Sequence, residues 1–222
     1  MNTRDENSIR PLLENGLVHL GLSQDRILSL LIKYIEEIEL FNEAYGLVKV
    51  KDRGELIAKH IFDSLAPISI FHGLPNNKVA DVGSGAGLPG IPLAVCMPGT
   101  EFTLIERMGR RAGFLRNAIA VLGLPNVRVE ESDMEKLAVT EKFDLIVFRA
   151  FKPFNSGILK GLLRLLAPGG IIAAYKGRRQ SVEDEMGEAL GKNQSYAQHS
   201  WEVVPVEVPF LEEERHLVLI RT

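Results

Sequence analysis

The stretch Val79-Ala-Asp-Val-Gly-Ser-Gly-Ala-Gly87 decides how the rest of the chain is read. A run of strand character passes directly into Gly83, Gly85 and Gly87, which let a backbone turn tightly and approach a ligand where any Cβ would clash. Asp81 stands two positions before the first glycine. This is the loop after the first strand of a doubly wound α/β fold, and two ligand classes fit it. Gly85-Ala-Gly-Leu-Pro-Gly90 also satisfies G-x-G-x-x-G, so the glycines alone do not choose. Register and charge do. In the dinucleotide motif the first glycine directly follows an apolar strand, whereas here that glycine is Gly83 and the strand carries Asp81. A carboxylate sits badly beside a pyrophosphate and well beside a sulfonium ligand bearing an ammonium group. The loop therefore favours S-adenosylmethionine over a nicotinamide cofactor, with Asp81 ordering the loop or meeting the ligand's amino group.

The bulk properties narrow the class. A chain of 222 residues with 45% hydrophobic residues can bury a substantial core. The net charge of −3 does not advertise nucleic acid, so any RNA contact must come from a local basic patch. The single cysteine, Cys96, excludes a disulfide framework and a cysteine zinc cluster, and no metal is expected. The polar N-terminus is unlike a signal peptide, and no apolar run approaches the roughly 20 residues of a membrane span. The expectation is a cytoplasmic monomer with no membrane partner.

Residues 1–77 read as helical. Ile27, Leu30, Leu31, Tyr34, Ile35, Ile38 and Phe41 recur at spacings of three and four, with Ser23 as the expected N-cap and Asp25 in the first turn. A second helix is expected over 53–64, carrying Leu56, His60 and Asp63 on one face. His60 and Asp63 read equally as an acid–base pair or as a hydrogen-bonded pair docking that helix. From Lys78 onward, strands at 79–82, 101–105, 127–130, 143–148 and 171–175 alternate with helices near 88–96, 110–122, 155–166 and 181–190. This is βαβ repetition and predicts a parallel sheet with right-handed crossovers. Segments 201–208 and 216–220 have no long helix between them and read as an antiparallel hairpin on the sheet edge. The organisation expected is a helical segment, 1–77, packed on a Rossmann-like domain, 78–222.

Ligands in such sheets lie beyond the carboxyl ends of the strands. There Glu106 is placed to accept both ribose hydroxyls of an adenosyl group, and Met134 and Glu135 are placed beside adenine. Arg149 and Lys152 follow the fourth strand, where adenine-amino methyltransferases carry Asn/Asp-Pro-Pro-aromatic, a motif absent here. The cytosine-carbon enzymes need a nucleophilic cysteine near this place, and Cys96 is on the first helix of the sheet region. A basic residue suits a nucleophile that needs no deprotonation and an anionic substrate. Arg107, Arg110, Arg111, Lys152, Lys176, Arg178 and Arg179 converge on this edge as expected RNA contacts. A nicotinamide-dependent oxidoreductase and a non-catalytic RNA-binding protein are the alternatives.

Taken in order, Asn42-Glu-Ala-Tyr-Gly-Leu47, His60-Ile-Phe-Asp-Ser64, Asp81-Val-Gly-Ser-Gly-Ala-Gly-Leu-Pro-Gly-Ile-Pro92, Arg149-Ala-Phe151, Lys176-Gly177 and Glu214-Arg-His-Leu-Val218 resemble the glucose-inhibited division protein B family. These are bacterial methyltransferases that act on guanine N7 in 16S ribosomal RNA. The resemblance implies a Rossmann-like class I methyltransferase fold with a mostly parallel sheet, an antiparallel C-terminal hairpin and an N-terminal helical extension. It implies S-adenosylmethionine as cofactor, contacted at Gly83, Leu88, Met134, Glu135 and Arg149, and 16S ribosomal RNA or a small-subunit assembly particle as partner. The family often carries Asp or Ala where Glu106 stands. Guanine N7 has a lone pair and no proton, so it can attack a sulfonium methyl without a general base. Arg149 is then the residue expected to orient guanine at the catalytic centre.

Overall fold

The computed structural model describes residues 3–138, 140–149, 156–191 and 199–221. Seven strands form one sheet in the order β3-β2-β1-β4-β5-β7-β6. These are β1 (Lys78–Val82), β2 (Glu101–Ile105), β3 (Val127–Glu130), β4 (Phe143–Arg149), β5 (Leu166–Lys176), β6 (Ser200–Pro205) and β7 (His216–Arg221). The first five run parallel, and β7 pairs antiparallel with both β5 and β6. The edge hairpin expected from sequence is therefore present, with β6 outermost. The order reverses between β1 and β4, and this switch point leaves a crevice at the strands' carboxyl ends.

Alternation along the strands explains why both sheet faces are covered. Leu145 and Val147 enter one core together with Val79, while Ile146 and Phe148 enter another with Ala80 and Val82. The first core takes α6 (Gly90–Cys96) and α7 (Gly109–Leu122) and also the N-terminal helices. The second takes α8 (Ser156–Leu165) and Val182 of α9 (Arg179–Gly191). Helices α1 (Thr3–His19) and α2 (Asp25–Tyr45) thus share a continuous apolar core with the sheet, through Leu13, Leu17, Leu31, Ile35 and Ile38. Polar ties fix the docking. Asn117 donates to Glu37 at 2.6 Å, Arg26 to the Val95 carbonyl at 3.3 Å, and Tyr175 to the Ser64 carbonyl at 2.8 Å.

Two local expectations are corrected. Ser23 is not the cap of α2: Gln24 occupies that position without a side-chain hydrogen bond, and the helix starts one residue later. Asp25 in the first turn supplies the negative charge that the helix dipole favours there. The helix expected over 53–64 is not uniform. A short α3 (Arg53–Leu56), capped by Asp52, opens into a π-helical turn over Ile57–Phe62, followed by α4 (Asp63–Leu65) and α5 (Ile68–His72). No residue-level pattern announces a π turn, because its side chains are those of an ordinary amphipathic helix. Such turns cluster at functional sites.

Candidate active site

Gly83, Gly85 and Gly87 all adopt positive φ, at 72°, 60° and 90°. The Gly83 and Ser84 N–H groups donate to the Ile105 carbonyl at 2.9 and 3.1 Å, tying the loop to the end of β2. From behind, Tyr34 of α2 donates to the Ala86 carbonyl at 2.6 Å. Asp81 is fully buried beneath the loop. Its Oδ2 accepts from the Ser84 hydroxyl at 2.6 Å and the Gly90 N–H at 3.0 Å. Gly90 must be glycine for this approach, since a Cβ there would lie 2.4 Å from Leu104 Cδ2 and 2.7 Å from Asp81 Oδ2. Asp81 therefore orders the loop. Burial pushes its carboxyl up to about 6, although the Ser84 and Gly90 hydrogen bonds pull the other way.

A cleft of about 250 Å³ opens beside the loop, above the ends of β1, β2 and β3. Gly83, Glu106, Met134 and Glu135 border it, as do Arg107 and Arg111, two of the expected RNA contacts. Glu106 is only 4% exposed, and its oxygens accept the Gly85 and Met108 N–H groups at 2.9 and 2.8 Å. A carboxylate has about four lone-pair positions, so both oxygens retain acceptor capacity. Met134 is buried and packs down toward Gly161, forming the floor of the cleft. Arg164 of α8 holds this segment by donating to the Met134 and Leu137 carbonyls, both at 2.7 Å. Asp81, Gly85, Gly87 and Leu88 do not border the cleft: they shape the loop from within, and Leu88 is a core residue. Met108 and Ile158 border it without having been expected. Met108 is half exposed at the rim, and no periodicity marks such a position.

The residues present fit S-adenosylmethionine. The cleft combines apolar walls at Val82, Ile105 and Ile158 with one buried carboxylate at its side. Asp81 Oδ1 is buried without a hydrogen-bond partner, which favours a cationic ligand nearby and disfavours a pyrophosphate.

Across the switch point lies a second cavity of about 620 Å³, bordered by Lys49, Lys59, His60, Arg149, Tyr175, Lys176 and Arg215 among others. Arg149 ends β4 beside Tyr175 of β5. Its guanidinium crosses to the π turn, donating to Asp63 at 2.8 Å, His60 Nδ1 at 2.9 Å and the Lys59 carbonyl at 3.2 Å. Asp63 also accepts from Arg215 at 3.1 Å. His60 and Asp63 are thus joined through Arg149, a three-residue arrangement that sequence spacing did not reveal because Arg149 is 86 residues from Asp63. Burial, then the Arg149 charge, lowers the His60 pKa to about 4.

The remaining expected RNA contacts fall into two groups. Arg107 and Arg111 border the cleft and Arg110 is exposed beside them on α7, with no ion pair for any of the three among the described residues. On the other side, Lys176 is clamped by both oxygens of Glu185 at 2.7 and 2.8 Å, and Arg179 pairs with Glu183 at 2.8 Å. Arg178 is exposed between them. Lys152 lies outside the described residues. Among the described residues no cluster suited to a metal ion occurs, and no helix is long and apolar enough to cross a membrane.

Residues 27–218 match the family model of rRNA small subunit methyltransferase G. The chain is 43% identical to ribosomal RNA small subunit methyltransferase G of Treponema pallidum (strain Nichols) over 217 residues, covering 95% of this chain and 93% of that one. It is 37% identical to the protein of the same name from Stenotrophomonas maltophilia (strain K279a), covering 96% and 95%. Among solved structures, an O-methyltransferase from Bacillus cereus in complex with SAH aligns with a TM-score of 0.62 at 16% identity, over 95% of this chain and 97% of that one. A SAM-dependent methyltransferase from Aquifex aeolicus gives 0.56 at 19%, over 85% and 98%. The structural likeness is one of fold.

Proposed function

The chain belongs to the rRNA small subunit methyltransferase G family, and on that premise we propose that it methylates N7 of a guanine in 16S ribosomal RNA. It is an S-adenosylmethionine-dependent methyltransferase, and neither a nicotinamide-dependent oxidoreductase nor a non-catalytic RNA-binding role is supported. The observation that carries the N7 reading is the pair of cavities flanking the β1/β4 switch point. One is small, touches the glycine loop at Gly83 and carries the buried Glu106 carboxylate; the other is wide and bordered by five cations together with Glu55, Asp63 and His60.

S-adenosylmethionine, when bound, supplies an electrophilic methyl group to the guanine N7 lone pair. We assign Gly83, Glu106, Met134 and Glu135 to its binding, with Asp81, Gly85, Gly87 and Leu88 building the loop that makes room for it. Glu106 takes the ribose hydroxyls. Arg149 stays protonated at any working pH and takes no proton from the substrate. Its role at the catalytic centre is to hold the π turn against the end of β4, so that the base enters in one orientation. The absence of a general base follows from N7 having no proton to lose. A guanine reaches this depth only from a loop or when splayed out, because the A-form major groove is too narrow to admit side chains. Arg107, Arg110, Arg111, Lys152, Lys176, Arg178 and Arg179 track its flanking phosphates. In this reading 78–222 binds cofactor and performs transfer, 1–77 roofs the substrate cavity, and the protein works as a cytoplasmic monomer without metal. Incubation with methyl-labelled S-adenosylmethionine and small-subunit RNA lacking the modification, followed by nucleoside analysis, should place the label in 7-methylguanosine. Label in any other nucleoside contradicts the N7 assignment.

A further inference from the structure

Among the polar groups bordering the wide cavity, the cations are largely neutralised. Arg149 and Arg215 share Asp63, Lys59 lies between Glu55 and Glu213, and Lys176 is held by Glu185. His60 differs. It borders the same cavity, and its Nδ1 faces the Arg149 guanidinium at 2.9 Å. A guanidinium offers only donors, so Nδ1 must be the acceptor and the ring proton must be on Nε2. Nε2 has no hydrogen-bond partner among the described residues. Arg149 is fixed in turn by Asp63 and the Lys59 carbonyl, so the tautomer is held by a chain of contacts running from β4 into the π turn.

We propose that His60 is the specificity-determining residue for the target base, its Nε2–H donating to guanine O6. This rests on the methyltransferase reading above. O6 is the acceptor adjacent to N7 on the same edge of guanine, whereas adenine presents an amino donor there. An N–H facing that amino group leaves two donors opposed, so adenine is rejected although its N7 is equally free of a proton. A neutral donor suits this position better than a cation. A charged group beside N7 would draw electron density from the nucleophile and repel the sulfonium centre. Burial and the Arg149 charge keep the His60 ring neutral around pH 7.

The test first maps the guanine that the wild-type protein converts to 7-methylguanosine in small-subunit RNA. Synthetic RNA ligated at that position then carries either guanine or 2,6-diaminopurine, which replaces O6 by an amino group and keeps N2 and N7. Single-turnover methylation of the two RNAs is compared for wild type, His60→Phe and His60→Gln. Wild type should favour guanine by about tenfold or more, as expected when a desolvated donor loses its acceptor. His60→Phe should be slower on guanine and should lose that preference. His60→Gln, which keeps a donor, should recover much of it. Unchanged preference in a His60→Phe protein that binds S-adenosylhomocysteine normally would overturn the proposal. Normal discrimination by wild type with none in either variant also contradicts the donor role, because the glutamine N–H then fails to replace the imidazole one. Failure of wild type to form 7-methylguanosine at all would instead remove the underlying reaction.

Discussion

Asp81 shows how one side chain can be essential to a ligand site without touching the ligand. Its carboxylate fixes Ser84 and the start of α6, and its second oxygen is buried without a partner. Burial raises its pKa from 3.8 to about 6. The folded chain therefore holds this proton more tightly than the unfolded chain, so stability falls as pH rises from about 4 to 6. A shift of this size corresponds to ~3 kcal/mol at most. Urea denaturation should show that fall in the wild type and a flatter profile for Asp81→Asn. A cationic ligand prefers the ionised form, so calorimetric affinity for S-adenosylmethionine should rise as pH rises through 6; an unchanged affinity would separate Asp81 from the cofactor. Gly85 has φ of +60°, and its Cβ position is open apart from the Gly83 carbonyl at 3.8 Å and Arg111 at 4.0 Å. Gly85→Val should therefore fold but bind cofactor poorly, since a branched side chain occupies the approach to the loop and strains the backbone. Arg149→Lys keeps the charge but not the fork that reaches Asp63 and His60 together. It should lose about a hundredfold in turnover through misplacement of the base. Cofactor affinity should change much less. Near-normal turnover at saturating RNA and cofactor would remove the positioning role.

At the scale of elements, the π turn is held from both sides. Arg149 takes its carbonyls, while Phe62 at its end packs on α1 with no exposure. Gly16 of α1 makes room for that ring: a Cβ there would lie 2.1 Å from Phe62 Cζ. Gly16→Ala should cost about 1–3 kcal/mol by overpacking. It should also reduce methyl transfer while leaving cofactor affinity nearly intact, because the disturbance enters through the substrate side. Equal loss of both would indicate general destabilisation. The strands and most helices were legible because strands buried on both faces read as short apolar runs and the helices show the 3.6 period of one buried face. The π turn and the start of α2 were not. Both depend on backbone hydrogen bonding at a single residue, which the same side-chain pattern satisfies in more than one way. In the site, Glu106 and the glycine loop were readable from local spacing. The Arg149–His60–Asp63–Arg215 arrangement was not, because the topology assembles it from the end of β4, the π turn, the start of α4 and the residue before β7.

For the whole molecule, charge is distributed unevenly around an acidic chain. Arg107, Arg110 and Arg111 lack ion-pair partners among the described residues, whereas Lys176 and Arg179 are paired. RNA affinity should fall steeply with salt, and replacing Arg107, Arg110 and Arg111 together by Ala should flatten that dependence by about 2 in log–log slope. The same treatment of Lys176, Arg178 and Arg179 should flatten it less, since two of those cations already have local counterions. The reverse order would place the phosphate track on the β5 side. The division of labour across the β1/β4 switch point is the central claim, and a crystal structure with S-adenosylhomocysteine tests it most directly. The account predicts the ribose hydroxyls on Glu106, the adenine over Met134 and Glu135, and the sulfur turned toward the end of β4. A ligand seated in the cavity of Lys59, His60 and Arg215, with Glu106 untouched, would contradict it.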